Sequence, residues 1–121
     1  MYELTVEASF SAAHNLRGYN GACENLHGHN WKVEVRVVSD VLDKVGMVID
    51  FRRLKGETGR IIEGLDHKYL NEVAPFDSEN ATAENISRFI YMKLKETLGP
   101  EIKVARVTVW ESENAAAAYY E

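Results

Sequence analysis

His27 and His29 are separated by a single glycine in the stretch Cys23-Glu24-Asn25-Leu26-His27-Gly28-His29, which also holds the chain's one cysteine. On extended backbone, residues i and i+2 point to the same side, so both imidazoles share a face and Gly28 adds no bulk between them. Three protein ligands with an open position are the usual layout of a catalytic zinc site. The natural third ligand is His14, which closes the run Phe10-Ser11-Ala12-Ala13-His14. Nitrogen ligation suits zinc best, although nickel, copper and iron also bind imidazole. Zinc held by three ligands would leave room for substrate or water, polarising an oxygen and acidifying neighbouring protons.

Other residues carry chemistry with a plainer reading beside it. Cys23 sits in a polar loop near this site, where a cation would raise its thiolate fraction. It then reads as a general base or nucleophile, with a buried small hydrophobe or a fourth zinc ligand as alternatives. Asp66-His67 pairs a carboxylate with an imidazole, which can fix one tautomer and stabilise the protonated ring. The same two residues also suit a helix C-terminus, where His67 favours the dipole and Asp66 caps the loop. Glu111 ends a strand on its apolar parity, either exposed at the strand end or in a pocket. A buried carboxylate needs partners, and a heterocycle edge with two parallel N–H donors would supply them. Thr82 and Glu84 read as the cap and first turn of a helix, and Asp50 as a cap.

The elements that must position these groups follow from periodicity. Residues 2–14 alternate, with Leu4, Val6, Ala8, Phe10, Ala12 and His14 on one parity. Residues 27–39 alternate again, with His27, His29, Trp31, Val33, Val35 and Val37 together. Both read as half-buried strands. Antiparallel pairing across residues 15–26 would bring the three histidines together. Asp50 caps a helix over roughly 52–65, with Phe51, Leu54, Thr58, Ile61, Ile62 and Leu65 as its stripe and Gly56, Gly59 and Gly64 weakening it. Thr82 caps a second helix over 83–98, stopped by Gly99-Pro100. Residues 102–111 make a third strand and 115–120 a short fourth. The order ββααββ predicts an α+β sandwich: a four-stranded antiparallel sheet with two helices on one face. Its open edges invite oligomerisation.

The chain of 121 residues reads as a single domain, 1–121, with an ordinary 45% of hydrophobic and 27% of charged residues. A formal net charge of −5 argues against general binding to nucleic acid or a membrane surface. One cysteine forms no intrachain disulfide, no signal-like segment follows Met1, and no apolar run approaches ~20 residues. The expected location is cytoplasmic.

Taken together, Phe10-Ser-Ala-Ala-His14, Cys23-x-x-x-His27-Gly28-His29, Val48-Ile49-Asp50-Phe51, Leu65-Asp66-His67-x-x-Leu70-Asn71, Thr82-Ala83-Glu84-Asn85 and Val107-Thr-Val-Trp-Glu111 resemble the 6-pyruvoyltetrahydropterin synthase family over residues 4–111. The resemblance implies a tunnelling fold (T-fold), in which three subunits form a twelve-stranded ring and two rings stack as a homohexamer with active sites between subunits. It implies zinc on His14, His27 and His29, proton transfer by Cys23, a relay of Asp66 and His67, a pterin anchored by Glu111, and a pocket lined by Thr82 and Glu84. The gap of three residues between Cys23 and His27 is similar to that of bacterial 6-carboxytetrahydropterin synthases of the queuosine pathway. These convert 7,8-dihydroneopterin triphosphate to 6-carboxytetrahydropterin, acetaldehyde and triphosphate. Glu24 also resembles the catalytic glutamate of a subgroup that cleaves the side chain to 6-hydroxymethyldihydropterin for folate, and the pyruvoyl-forming activity is a further alternative. Arg17, Lys32, Arg36, Lys55 and Lys68 are the cations available to the triphosphate. A zinc hydrolase or a non-catalytic pterin-binding module would use the same histidines but give Cys23 no role.

Overall fold

The computed structural model describes residues 1–18 and 25–121; Cys23 and Glu24, the two candidates for the catalytic base, lie outside these residues. Two long strands open the fold, β1 (Tyr2–His14) and β2 (His27–Ser39). They pair antiparallel in unbroken register from Tyr2 opposite Ser39 to His14 opposite His27. Val6, Phe10, Ala12 and His14 of β1, with Trp31, Val33, Val35 and Val37 of β2, are buried on one face. The alternation in sequence thus becomes an inside and an outside.

Helix α1 (Phe51–Glu63) starts where Asp50 accepts a hydrogen bond from the Arg52 amide at 2.8 Å. Leu54, Thr58 and Ile62 form its buried stripe. Phe51, assigned to that stripe from spacing, is instead 52% exposed, because it occupies the first helical position and turns outward. Helix α2 (Ala83–Leu98) begins at Thr82, whose hydroxyl accepts from the Asn85 amide at 3.1 Å. It buries Ile86, Ile90, Tyr91, Leu94 and Leu98. α1 packs on β1 and on α2, while α2 packs on β4 (Lys103–Ser112) and β5 (Ala115–Tyr119).

The sheet departs from the four antiparallel strands expected. It has five strands, because Lys68–Tyr69 form a short β3 that pairs parallel with β1 at Ala12 and Ala13. The spatial order is β3-β1-β2-β4-β5, so the sheet is mixed, and the chain order is β-β-α-β-α-β-β. Two residues are too few to show a period of two, and their pairing depends on a neighbour more than fifty positions away. No helix among the described residues is long and apolar enough to cross a membrane.

Gly56 and Gly59 lie on the exposed side of α1, and a Cβ added at either meets no atom within 4 Å. Glycine in a helix interior is less favourable than alanine by about 0.5–1 kcal/mol. Gly56→Ala and Gly59→Ala should each stabilise the protein by about that much, raising the midpoint of thermal unfolding.

Candidate metal centre and proton-relay pair

The β1–β2 register sets His14 directly against His27 and Ala12 against His29. All three imidazoles therefore emerge on the helix-facing side at one end of the sheet. Their ring centroids lie 4.5 Å (His14–His27), 4.8 Å (His27–His29) and 5.1 Å (His14–His29) apart, each pair edge to face. Trp31 closes the floor, 5.0 Å from His14 and 5.1 Å from His29 between centroids. Its indole N–H donates to the Ala12 carbonyl at 3.2 Å.

Backbone carbonyls select the tautomers. His14 Nδ1–H donates to Ala81 O at 2.7 Å, and His27 Nδ1–H donates to Asn25 O at 2.7 Å. Each ring then presents Nε2 with a free lone pair, the form a metal requires. The Nε2 atoms of His14 and His29 are buried and have no hydrogen-bond partner among the described residues. Such an orphan costs about 1–3 kcal/mol in a finished core. Burial, the largest influence on both His14 and His29, holds their pKa values below the ordinary histidine value, so each ring is kept neutral. Two orphaned, neutral nitrogens converging with a third imidazole fit a borderline-soft divalent ion such as zinc.

A fourth donor joins them. Glu111 Oε1 lies 3.0 Å from His29 Nε2 and 3.9 Å from His14 Nε2. The closer contact is short in distance but not aligned as a hydrogen bond, which is why His29 Nε2 remains unpartnered. One ligand atom from each of His14, His27, His29 and Glu111 falls within 4.8 Å of all the others. Sequence reasoning placed Glu111 in a pocket or at a strand end but not among the histidines. Its position depends on the β2–β4 register, in which Lys32 opposes Trp110, the residue just before Glu111.

Asp66 and His67 are a pair but stand apart from this cluster. His67 Nδ1 lies 2.9 Å from Asp66 Oδ1. Asp66 Oδ1 also accepts the Ser11 amide at 2.9 Å, and the His67 amide donates to Ser11 O at 2.6 Å. The Ser11 amide first, and the His67 side chain after it, hold the Asp66 carboxyl below its ordinary pKa. His67 adopts φ 58°, a left-handed conformation uncommon outside glycine but one that histidine, like Asn and Asp, adopts more readily than most residues, and its ring is 82% exposed. The pair follows directly on the end of α1, where the Asp66 amide donates to the Ile62 carbonyl at 2.9 Å, and it is also tied to β1 through Ser11. His67 borders an open depression of about 540 Å³ together with Ser11, His29, Asn30, Lys68 and Tyr69.

Thr82 and Glu84 are where helix chemistry puts them, the cap and an exposed first-turn residue of α2. Ala81, next to that cap, supplies the carbonyl on His14. The five candidate phosphate cations separate. Arg17 is engaged with the carbonyls of Asn71, Phe76 and Glu79. Arg36 is paired with Glu34 and Glu3, Lys32 stacks over Trp110, and Lys55 is exposed on α1. Lys68 alone borders the depression that holds His67.

His27→Ala should abolish stoichiometric binding of a divalent metal ion, read by metal analysis after gel filtration. Chelation of the wild-type protein should lower its thermal midpoint, since a ligand that binds only the folded state stabilises it. Asp66 should titrate below about 3.9, the ordinary aspartate value, when its carboxyl carbon is followed by NMR. Its contribution to stability is full above that ordinary value and is lost as pH falls through the lowered folded pKa.

The chain is matched over residues 3–121 by the family model described as 6-pyruvoyl tetrahydropterin synthase. It is 38% identical to a 6-carboxy-5,6,7,8-tetrahydropterin synthase from Synechocystis sp., over 99% of this chain and 94% of that protein. It is 36% identical to a dihydroneopterin monophosphate aldolase from Pyrococcus furiosus, over 86% of this chain and 84% of the other. The solved structure of 6-pyruvoyl tetrahydropterin synthase from Caenorhabditis elegans superposes with a TM-score of 0.85 at 29% identity, covering 100% of this chain and 97% of that one. Fold, sequence and the convergent histidines point the same way, and the chain belongs to the 6-pyruvoyl tetrahydropterin synthase family.

Proposed function

We propose that this protein is a zinc-dependent lyase that converts 7,8-dihydroneopterin triphosphate to 6-carboxytetrahydropterin, acetaldehyde and triphosphate, in the cytoplasmic route to queuosine. The observation that carries the reading is the convergence of three imidazoles with two buried, unpartnered Nε2 atoms, in a chain similar along nearly its whole length to a 6-carboxy-5,6,7,8-tetrahydropterin synthase.

His14, His27 and His29 would hold the zinc. When bound, it supplies Lewis acidity toward the oxygens of the substrate side chain and so acidifies the adjacent C–H bonds. Cys23 as thiolate removes the proton. Asp66 keeps a proton on Nδ1 of His67, leaving Nε2 to return one elsewhere on the substrate. Triphosphate leaves by elimination, and a retro-aldol-like cleavage that consumes one water, whose oxygen enters the carboxylate, releases acetaldehyde. No redox cofactor is needed, because the substrate's own bonds rearrange. Glu111 anchors the edge of the pterin that carries the 2-amino group. Thr82 and Glu84, one and three residues beyond the carbonyl that orients His14, line the pocket. Lys68 is the best placed of the candidate cations for a phosphate group.

The exposed Asp66–His67 pair and the free edges of a five-stranded sheet support a homohexamer, a dimer of trimers, in which this pair serves a neighbouring subunit's metal site. A second reading, side-chain cleavage to 6-hydroxymethyldihydropterin, is favoured by the presence of Glu24 beside Cys23 and by the similarity to the Pyrococcus furiosus aldolase.

Incubation with dihydroneopterin triphosphate, followed by mass spectrometry, separates these readings. Acetaldehyde with the carboxy product is expected; the hydroxymethyl product would favour the aldolase reading, and no turnover a binding module. Cys23→Ala should abolish turnover while zinc and pterin still bind. A fully active Cys23→Ala would move the base to Glu24. Mixing and reassembling inactive His27→Ala with inactive His67→Ala should restore part of the activity, because some sites then combine an intact metal centre with an intact relay. Absence of any recovery in mixed oligomers would contradict shared sites.

A further inference from the structure

Just after His14, the chain from Asn15 to Arg17 runs alongside the segment 71–81 without a regular strand between them. Two asparagine side chains take the place of a strand partner. Asn71 accepts the Asn15 amide at 3.1 Å and donates to the Asn15 carbonyl at 2.9 Å. Asn80 accepts the Arg17 amide at 3.0 Å and donates to the Arg17 carbonyl at 3.0 Å. Each amide thus satisfies both backbone groups of one residue, as a sheet neighbour would. The Arg17 guanidinium completes the clamp on the carbonyl of Phe76 at 2.7 Å. The Asn80 carbonyl accepts from Asn85 Nδ2 at 2.9 Å, which ties the clamp to the first turn of α2.

Asn80 immediately precedes Ala81, whose carbonyl holds Nδ1–H of His14. The stretches 14–17 and 80–81 are therefore joined at both ends: by His14 to Ala81 at one, by Arg17 to Asn80 at the other. We infer that Asn80 is a positioning residue for the metal site, fixing the Ala81 carbonyl at the distance that keeps the proton of His14 on Nδ1 and its Nε2 free. Loss of a partner that orients a ligating histidine typically lowers metal affinity by about 10–100-fold. The inference rests on the zinc site proposed above, and the test separates the two.

Asn80→Ala is compared with Glu79→Ala, which removes an exposed ion pair to Arg88 in the same segment but leaves the clamp intact. Zinc affinity is measured by competition with a chromophoric chelator, and the tautomer of His14 by nitrogen-15 NMR of the metal-free protein. Asn80→Ala should bind zinc about 10–100-fold more weakly and show a mixed His14 tautomer, while Glu79→Ala behaves as wild type in both. Wild-type affinity with an unchanged tautomer in Asn80→Ala would overturn the inference, whatever the fall in thermal midpoint. Should Asn80→Ala not fold, Asn80→Asp keeps the acceptor for the Arg17 amide and is measured instead. If both are unfolded, the pair is a folding element rather than a positioning one, and the inference fails. Absence of zinc binding by wild type would refute the metal site itself, while the tautomer comparison would still judge Asn80.

Discussion

The register between β1 and β2 is the constraint on which the site depends. Side chains on a strand alternate with a period of two, so a slip of one residue would carry His27 and His29 to the opposite face from His14. The core prevents that slip. Either Val6, Phe10 and Ala12 on one strand or Trp31, Val33, Val35 and Val37 on the other would have to leave the apolar side together. Hydrophobic burial along the whole hairpin thus fixes the placement of three polar rings at its end, and the site inherits its precision from packing that extends far beyond it.

The site and its surroundings divide the electrostatic work. Burial keeps His14 and His29 neutral, as a metal ligand must be, while Glu111 places one negative charge close to them. Asp66 and His67 lie outside this pocket, with the His67 ring open to solvent. Ser11 provides the mechanical link, since its backbone bonds both Asp66 and His67 and it lies three positions before His14 on the same strand.

Much of this was legible in the sequence where the information is local. The bounds of β1, β2 and α2, the caps at Asp50 and Thr82, and the convergence of His14, His27 and His29 follow from alternation, capping chemistry and one antiparallel pairing. What was not legible depends on distant neighbours. Strand β3 exists because Lys68 and Tyr69 lie along the edge of β1, and no two-residue segment announces that by composition. Glu111 joins the histidines through the β2–β4 register, which residue spacing along β4 does not encode. Arg17 looked free to bind phosphate, yet the fold directs it to carbonyls, an outcome set by the path of residues 71–80.

Trp31 has a consequence that reaches beyond architecture. Its indole is fully buried, rigidly held by its bond to the Ala12 carbonyl, and in edge contact with His14 and His29. An aromatic emitter so placed reports on those two rings: a proton gained by either, or a paramagnetic ion between them, opens a quenching route, whereas a closed-shell ion does not. The fold has built a luminescent gauge into the floor of its own histidine cluster.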